Sequence, residues 1–236
     1  MNAIILGAGK GTRLKSETEN RPKILLDVAG KTILQRQCEL LAHSGVQNIF
    51  LNLNYQHELV TDYLKTTHLP VKVTTKIEKD LSGTWGGVRL FKEEVRNAPF
   101  FVLYGDILLD FDLSEMHLIA QERESEGLIM THQRSHSNSL MAIDDNSMVQ
   151  GFIERPNDEQ RSQFLKGFPK ANLVNSGVMI FKPSVFKYGL CDKGDIPANL
   201  YPKLLENSTL MAYKCPGKRF AIDSKERLEE ARSYFQ

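Results

Sequence analysis

Cysteine is scarce in this chain. Cys38, Cys191 and Cys215 are three in 236 residues, odd in number and without a Cys-x-x-Cys pair. Such spacing excludes a disulfide framework and reads as reduced thiols in a cytoplasmic protein. Net charge is nearly absent as well: 30 Lys plus Arg against 29 Asp plus Glu leave +1. That balance gives no global reason to bind nucleic acid or a membrane surface, so any basic site must be local. No apolar run approaches the roughly 20 residues of a membrane-spanning helix, and the N-terminus lacks the charged and apolar segments of a secretory signal. There is no internal repeat and no low-complexity segment.

What is present is a regular alternation of patterns. With 41% hydrophobic residues, the chain can bury one large core and fits a single domain better than two. Strands are expected at Ala3–Leu6, Asn48–Asn52, Val71–Ile77 and Phe100–Leu103, rich in β-branched or aromatic residues. Helical patterns follow at Ile33–His43, Gln56–Lys65 and Thr84–Val95. Four such repeats predict an α/β fold with a mostly parallel central sheet flanked by helices, and a ligand at the carboxyl ends of the strands. Beyond Gly127 the strands Leu128–His132, Leu140–Ile143, Met148–Ile153 and Leu173–Phe181 follow with little helix between them, which predicts a mixed or antiparallel C-terminal half. Asn157–Lys170 reads as a long loop, and Lys225–Phe235 as a closing helix.

The first strand runs into Gly7-Ala8-Gly9-Lys10-Gly11-Thr12-Arg13-Leu14, followed by Arg21-Pro22-Lys23. Glycines let backbone N–H groups approach an anion, and Lys10, Arg13 and Lys23 can neutralise phosphate charge. The spacing is neither of the better-known glycine loops. A Walker loop needs Ser or Thr where Gly11 follows the lysine, and a dinucleotide fingerprint needs a third glycine where Thr12 stands.

Further segments fall in a telling order: Gly83-Thr84-Trp85-Gly86-Gly87, Gly105-Asp106, Phe152-Ile153-Glu154-Arg155-Pro156, Asn175-Ser176-Gly177 and Ile222-Asp223. Together with the opening loop and Pro22-Lys23, this order resembles the sugar-phosphate nucleotidylyltransferases, from Ala3 to about Leu228. In its compact length the chain is most similar to bacterial mannose- or heptose-1-phosphate guanylyltransferases, with short uridylyl- and cytidylyltransferases as close competitors. The resemblance implies a single Rossmann-like nucleotidyltransferase domain over 1–236, with a nucleotide-binding half at about 1–126 and a sugar-phosphate-binding half at about 127–236. It implies a nucleoside triphosphate and a sugar 1-phosphate as partners and Mg²⁺ as cofactor. Oligomeric state is not legible.

Residue by residue, the resemblance implies that the backbone of Leu6, Gly7 and Ala8 and the Gly83-Thr84 turn surround the base, while Gly9, Lys10, Gly11 and Thr12 hold phosphates. Arg13 resembles the cation on the leaving pyrophosphate and Lys23 the lysine at the reacting centre. Asp106 matches a metal carboxylate, and Asp223 would be the second, although Ser224-Lys225-Glu226 replaces the usual Gly-Thr-Pro after it. Tyr104, Gly105, Glu154, Arg155, Asn175, Ser176 and Gly177 are expected on the acceptor side. Arg155 exchanges the usual lysine's point charge for a planar fork. Glu78 stands where the family often reads the base edge, and a carboxylate could accept both N1–H and N2–H of guanine; its alternative is a solvated glutamate at a strand end. Trp85 narrows the base pocket or packs beneath the helix.

Other candidates have plainer readings. Asp112-Leu-Ser-Glu115 has the spacing of a capping box before a Ser114–Glu124 helix, and Asp223-Ser-Lys-Glu226 repeats it before the last one. Asp110-Phe-Asp112 is the nearest approach to the paired aspartates of a metal-dependent glycosyltransferase. His132 and His136 lack a third ligand and are expected at the surface. Tyr55 either touches substrate or packs, and the Leu113–Ala120 stripe reads as core.

Overall fold

The computed structural model describes residues 1–134, 139–189 and 191–236. The first half contains β1 (Asn2–Leu6), β2 (Asp27–Val28), β3 (Lys31–Thr32), α1 (Ile33–His43), β4 (Asn48–Leu53), α2 (His57–Thr66), β5 (Lys72–Ile77), α3 (Gly83–Arg89), β6 (Phe100–Tyr104), β7 (Ile107–Leu109) and α4 (Ser114–Glu122). The second contains β8 (Gly127–Gln133), β9 (Ser139–Ile143), β10 (Val149–Glu154), α5 (Asp158–Gly167), β11 (Leu173–Phe181), α6 (Tyr201–Glu206), β12 (Leu210–Lys214), β13 (Arg219–Ala221) and α7 (Lys225–Tyr234).

Strands β6, β1, β4 and β5 lie side by side and parallel. β11 continues the sheet antiparallel to β6, β8 runs antiparallel to β11, and β12 is parallel to β8. The mostly parallel α/β sheet with a mixed second half is therefore as expected. From β1 the chain steps outward to β4 and β5, then returns to the other side of β1 as β6. Such a reversal opens a crevice at the strands' carboxyl ends, where open α/β sheets bind ligands.

Burial on both faces explains why the central strands are apolar without alternation. Ala3, Ile4 and Ile5 are all fully buried. Ala3 and Ile5 join Ile49, Leu51, Phe101 and Leu103 beneath α1 and α4, whereas Ile4, Phe50 and Val102 face Trp85 of α3 and Tyr201 of α6. The period-2 geometry of strands sends neighbours to opposite layers. Helix α1 presents Ile33, Leu34, Cys38 and Leu41 to one of these layers and is capped by Thr32, whose side chain accepts from Gln35 N.

Several elements depart from the sequence-based expectation. Asn157–Lys170 is not a loop, because it holds α5, and α6 adds further helix to the second half. No residue of α5 is buried; its start is fixed by a capping box between Asn157 and Gln160. Asn157→Ala should cost about 1 kcal/mol of local stability, read as faster amide exchange confined to α5. Unchanged exchange there would mean that the cap is not what holds the helix. The expected Thr84–Val95 helix closes at Arg89. Asp112 forms no capping box: Leu113 stands at the N-cap of α4, and Asp112 Oδ1 accepts from Ser114 N at 2.8 Å. The last helix is capped by Ser224 rather than Asp223, which leaves the aspartate for other partners. Leu113, Met116 and Ala120 are core, as read.

Candidate active site

The crevice at the carboxyl ends of β1 and β6 is a cleft of about 370 Å³, within the size range of small-molecule sites. Its floor is the glycine turn. Gly105 N donates to Leu6 O at 3.0 Å, and a Cβ at Gly105 would stand 2.6 Å from that same oxygen. Only glycine lets β6 and β1 end this close together. Gly11 has φ +64° and a Cβ there would crowd Thr18 and Lys23. Of the expected loop residues, Leu6, Gly7, Ala8, Gly9, Gly11, Thr12 and Arg13 line the cleft. Lys10 is exposed and does not, since the turn directs it outward from the lining.

Two aspartates, Asp106 and Asp223, carry the ion pairs of the charged end. Lys23 follows Pro22, whose φ of −58° sets the start of a short 3-10 turn, and Ile24, Leu25 and Leu26 anchor the segment in the core. Its Nζ lies 2.6 Å from Asp106 Oδ2, with the lysine side chain 13% exposed. Asp223 accepts from Arg13 at 3.3 Å and from Arg227 at 2.9 Å.

The two aspartates meet because β13 pairs with β7, with Ala221 opposite Ile107, and Ile222 N donates to Asp106 O at 2.8 Å. Gln37, buried on α1, donates from Nε2 to Tyr104 O at 2.9 Å and Ile107 O at 2.8 Å. It clamps the turn that carries Gly105 and Asp106. Among the described residues no group of three metal-ligating side chains occurs. Two carboxylates beside a glycine-rich turn nevertheless suit Mg²⁺, which takes one or two protein carboxylates and keeps several waters.

At the other end of the cleft Glu78 is buried, not a solvated glutamate. Asn52 Nδ2 donates to its Oε1 at 2.5 Å, while Ser82 N and Oγ donate to Oε2 at 3.0 and 2.5 Å. A carboxylate has about four acceptor positions, so one remains, on Oε1. The expected two-pronged grip on guanine is thus reduced to a single bond unless Ser82 turns away. Asn52 also accepts from Gly7 N at 2.8 Å through Oδ1, tying this end of the cleft to the glycine turn. Gly83 and Thr84 line the same end, and Asp195 Oδ1 holds Thr84 N at 3.0 Å. Trp85 is fully buried, donates to Gly189 O and packs on Phe186, so it does not narrow the base pocket.

The acceptor set is only partly assembled in the cleft. Tyr104 and Gly105 line it. Tyr104 is hydrogen-bonded to Thr84, and burial pushes its phenol well up. Glu154 is half-buried close to Tyr104 and Asp195, and burial raises its carboxyl. Asn175 donates to Tyr201 Oη at 3.0 Å and accepts from Gly177 N at 2.7 Å. Ser176 departs from expectation: it is fully buried and its Oγ is 3.0 Å from His132 Nδ1, because successive strand residues face opposite sides. Gly177 has φ +82°. Arg155 points to solvent, 84% exposed, with Glu154 at 3.7 Å. His132 is accordingly half-buried and not a surface residue, whereas His136 lies outside the described residues. Tyr55 is exposed and donates to Glu19 O at 3.1 Å, away from the cleft lining.

The sequence profile of the nucleotidyl transferase family matches residues 2–212. The chain belongs to that family. Mannose-1-phosphate guanylyltransferase 1 of Arabidopsis thaliana is 30% identical over 225 residues, covering 92% of this chain and 60% of the relative. The mannose-1-phosphate guanylyltransferase catalytic subunit beta of Dictyostelium discoideum is 29% identical over 223 residues, covering 92% and 59%. This chain thus spans about 60% of the length of such curated relatives. Among solved structures, HddC from Yersinia pseudotuberculosis complexed with GMP-PN shares the fold, with a TM-score of 0.78 at 24% identity, covering 100% of this chain and 99% of that one. UDP-glucose pyrophosphorylase complexed with UDP-glucose shares it with a TM-score of 0.82 at 19% identity, covering 99% and 97%.

Gln37, Asn52 and Asp195 are among the residues of this candidate site that escaped the sequence reading. Gln37 and Asn52 carry a usable signal, since each is a polar side chain inside an otherwise apolar stripe or strand, where it must find partners. Asp195 carries none; it arrives from a segment far along the chain. Among the described residues no helix is long and apolar enough to cross a membrane.

Proposed function

We propose that this nucleotidyl transferase moves a nucleotidyl group from a nucleoside triphosphate, GTP in preference, to a sugar 1-phosphate of the mannose or heptose class. A sugar-phosphate oxygen forms the new bond to the α-phosphorus, the bond from that phosphorus to the β-phosphate's bridging oxygen breaks, and pyrophosphate leaves. The observation that carries this reading is the Lys23–Asp106 pair beside the glycine loop, with Asp223 and Arg13 joined to it through the β13–β7 pairing.

The attacking phosphate has a second pKa of about 6 and is largely ionised near neutrality, so the reaction needs no general base. Alignment and charge neutralisation are what the protein must supply. Lys23 and Arg13, each resting on a carboxylate, can turn to phosphate oxygens; Asp106, and Asp223 through the Oδ2 that Arg13 leaves while Arg227 keeps Oδ1, would then hold Mg²⁺. Held there, that ion would supply positive charge against the negative charge gathering around the α-phosphorus. The first test is pyrophosphate release from GTP, with and without Mg²⁺, across a panel of sugar 1-phosphates. Release that needs both acceptor and Mg²⁺ is expected. Consumption of a finished nucleotide sugar without pyrophosphate would indicate a glycosyltransferase and overturn the reading.

GTP is favoured by the guanylyltransferase names of relatives over 92% of the chain and by the acceptor position left on Glu78 Oε1. Four triphosphates in competition should rank GTP first. Glu78→Gln removes a charged acceptor and disturbs Asn52, and should lower the preference about tenfold or more. A native preference for UTP or CTP would refute the role of Glu78.

A further inference from the structure

Outside the nucleotide cleft, and sharing no lining residue with it, a second cavity of about 220 Å³ opens between β8, β13 and α7. Its charged walls are His132, Arg134, Arg219, Arg227 and Glu230. Arg219 is half-buried and donates from Nε to Ser176 O at 2.5 Å. Arg227 leans on Asp223, and Arg134 makes no ion pair among the described residues. Glu230, exposed at the rim, is the only carboxylate among the described residues of the lining.

Three guanidiniums line one hollow and repel one another, with Arg219 held by Ser176 O and Arg227 by Asp223. Burial first, opposed by Asp106 and aided by Arg227 and Arg134, holds the Arg219 guanidinium below its usual range. Burial, then Arg219, Arg134 and Arg227, pushes His132 down to about 4, so it stays neutral near pH 7. An anion would relieve the repulsion. Guanidinium forks favour planar, multi-oxygen acceptors, and a phosphate monoester offers a near-dianion with three acceptor oxygens.

We infer that this cavity is a second anion site, built to hold one phosphate monoester separately from the nucleotide cleft. The phosphate could be a second one on the acceptor sugar or belong to a free phosphorylated metabolite. Either source offers the same group, and the inference holds whichever nucleobase the cleft selects.

Inorganic phosphate is the probe, titrated by calorimetry into the nucleotide-free chain while the imidazole NMR signals of His132 are followed. A saturable movement of those signals is expected in the native protein and also in Lys23→Ala, whose nucleotide cleft is weakened. Arg134→Gln, at an exposed position that should fold normally, is expected to weaken this response about tenfold, the loss of one charge-assisted contact. If His132 does not respond to millimolar phosphate, or Arg134→Gln binds as well as the native chain, the site does not exist. A hexose 1,6-bisphosphate compared with a hexose 1-phosphate then separates the sources. Tighter binding of the bisphosphate that is lost in Arg134→Gln assigns the site to the acceptor. No gain, with the inorganic phosphate response intact, assigns it to a free ligand. No nucleotide is needed for the binding tests, so a failure of the GTP reading leaves their outcome unaffected.

Discussion

Lys23→Ala should lower turnover by about 10²–10³-fold, the range for removing one group that stabilises transition-state charge. Its ammonium is placed by the rigid Pro22 and by three buried neighbours, so little reorganisation separates the resting pair from a phosphate contact. The stability change should be far smaller. Asp106 loses a partner but is 26% exposed and can be rehydrated, so about 1 kcal/mol is the expected cost. Pyrophosphate release and urea midpoints measured in parallel check the two effects. An early-melting variant with native specific activity would make Lys23 structural. Lys23→Arg should restore little turnover, because a planar fork does not occupy the place of a compact ammonium.

Asp106→Asn should be as damaging, removing about 10²–10³ of turnover and abolishing the response to Mg²⁺. The amide keeps the shape and can still accept from Lys23, so the fold is preserved while the metal loses a charged ligand. Calorimetric titration of Mg²⁺ in the presence of triphosphate gives a readout independent of catalysis. Native Mg²⁺ affinity in this variant would remove Asp106 from the metal site. The neighbouring aspartates serve as controls. Asp112 is exposed and accepts from the backbone and side chain of Ser114, whereas Asp110 accepts from Lys218 N and Tyr234 Oη and so ties β7 to β13 and α7. Asp112→Asn should leave turnover unchanged. Neither residue belongs to a glycosyltransferase-type aspartate pair, because neither lines the cleft.

The strands of the first half were legible because burial on both faces leaves a continuous apolar run, and α1 because its stripe has helical spacing. Helix α5 was not, for the opposite reason: none of its residues is buried, so no hydrophobic period marks it and only the capping box betrays it. The glycine turn that lines the cleft was legible because glycine spacing reports a backbone requirement that is local. Glu78 was located correctly but its environment was not, since Asn52 and Ser82 come to it through the β4–β5 pairing and the turn after β5. Ser176 illustrates a related failure. Its residue type suited a sugar hydroxyl, yet strand parity turned it to His132.

Composition, periodicity and the glycine turn by themselves determined the α/β class, the parallel first half and the end of the sheet at which the cleft opens, because each depends on neighbours in sequence. Only the tertiary structure decided that Asp223 stands beside Asp106, that Asp195 meets Thr84, and that Arg134, Arg219 and Arg227 surround one cavity. Those meetings depend on strand pairing and helix docking between distant segments, and short-range spacing carries no record of which distant carboxylate or cation a side chain will face.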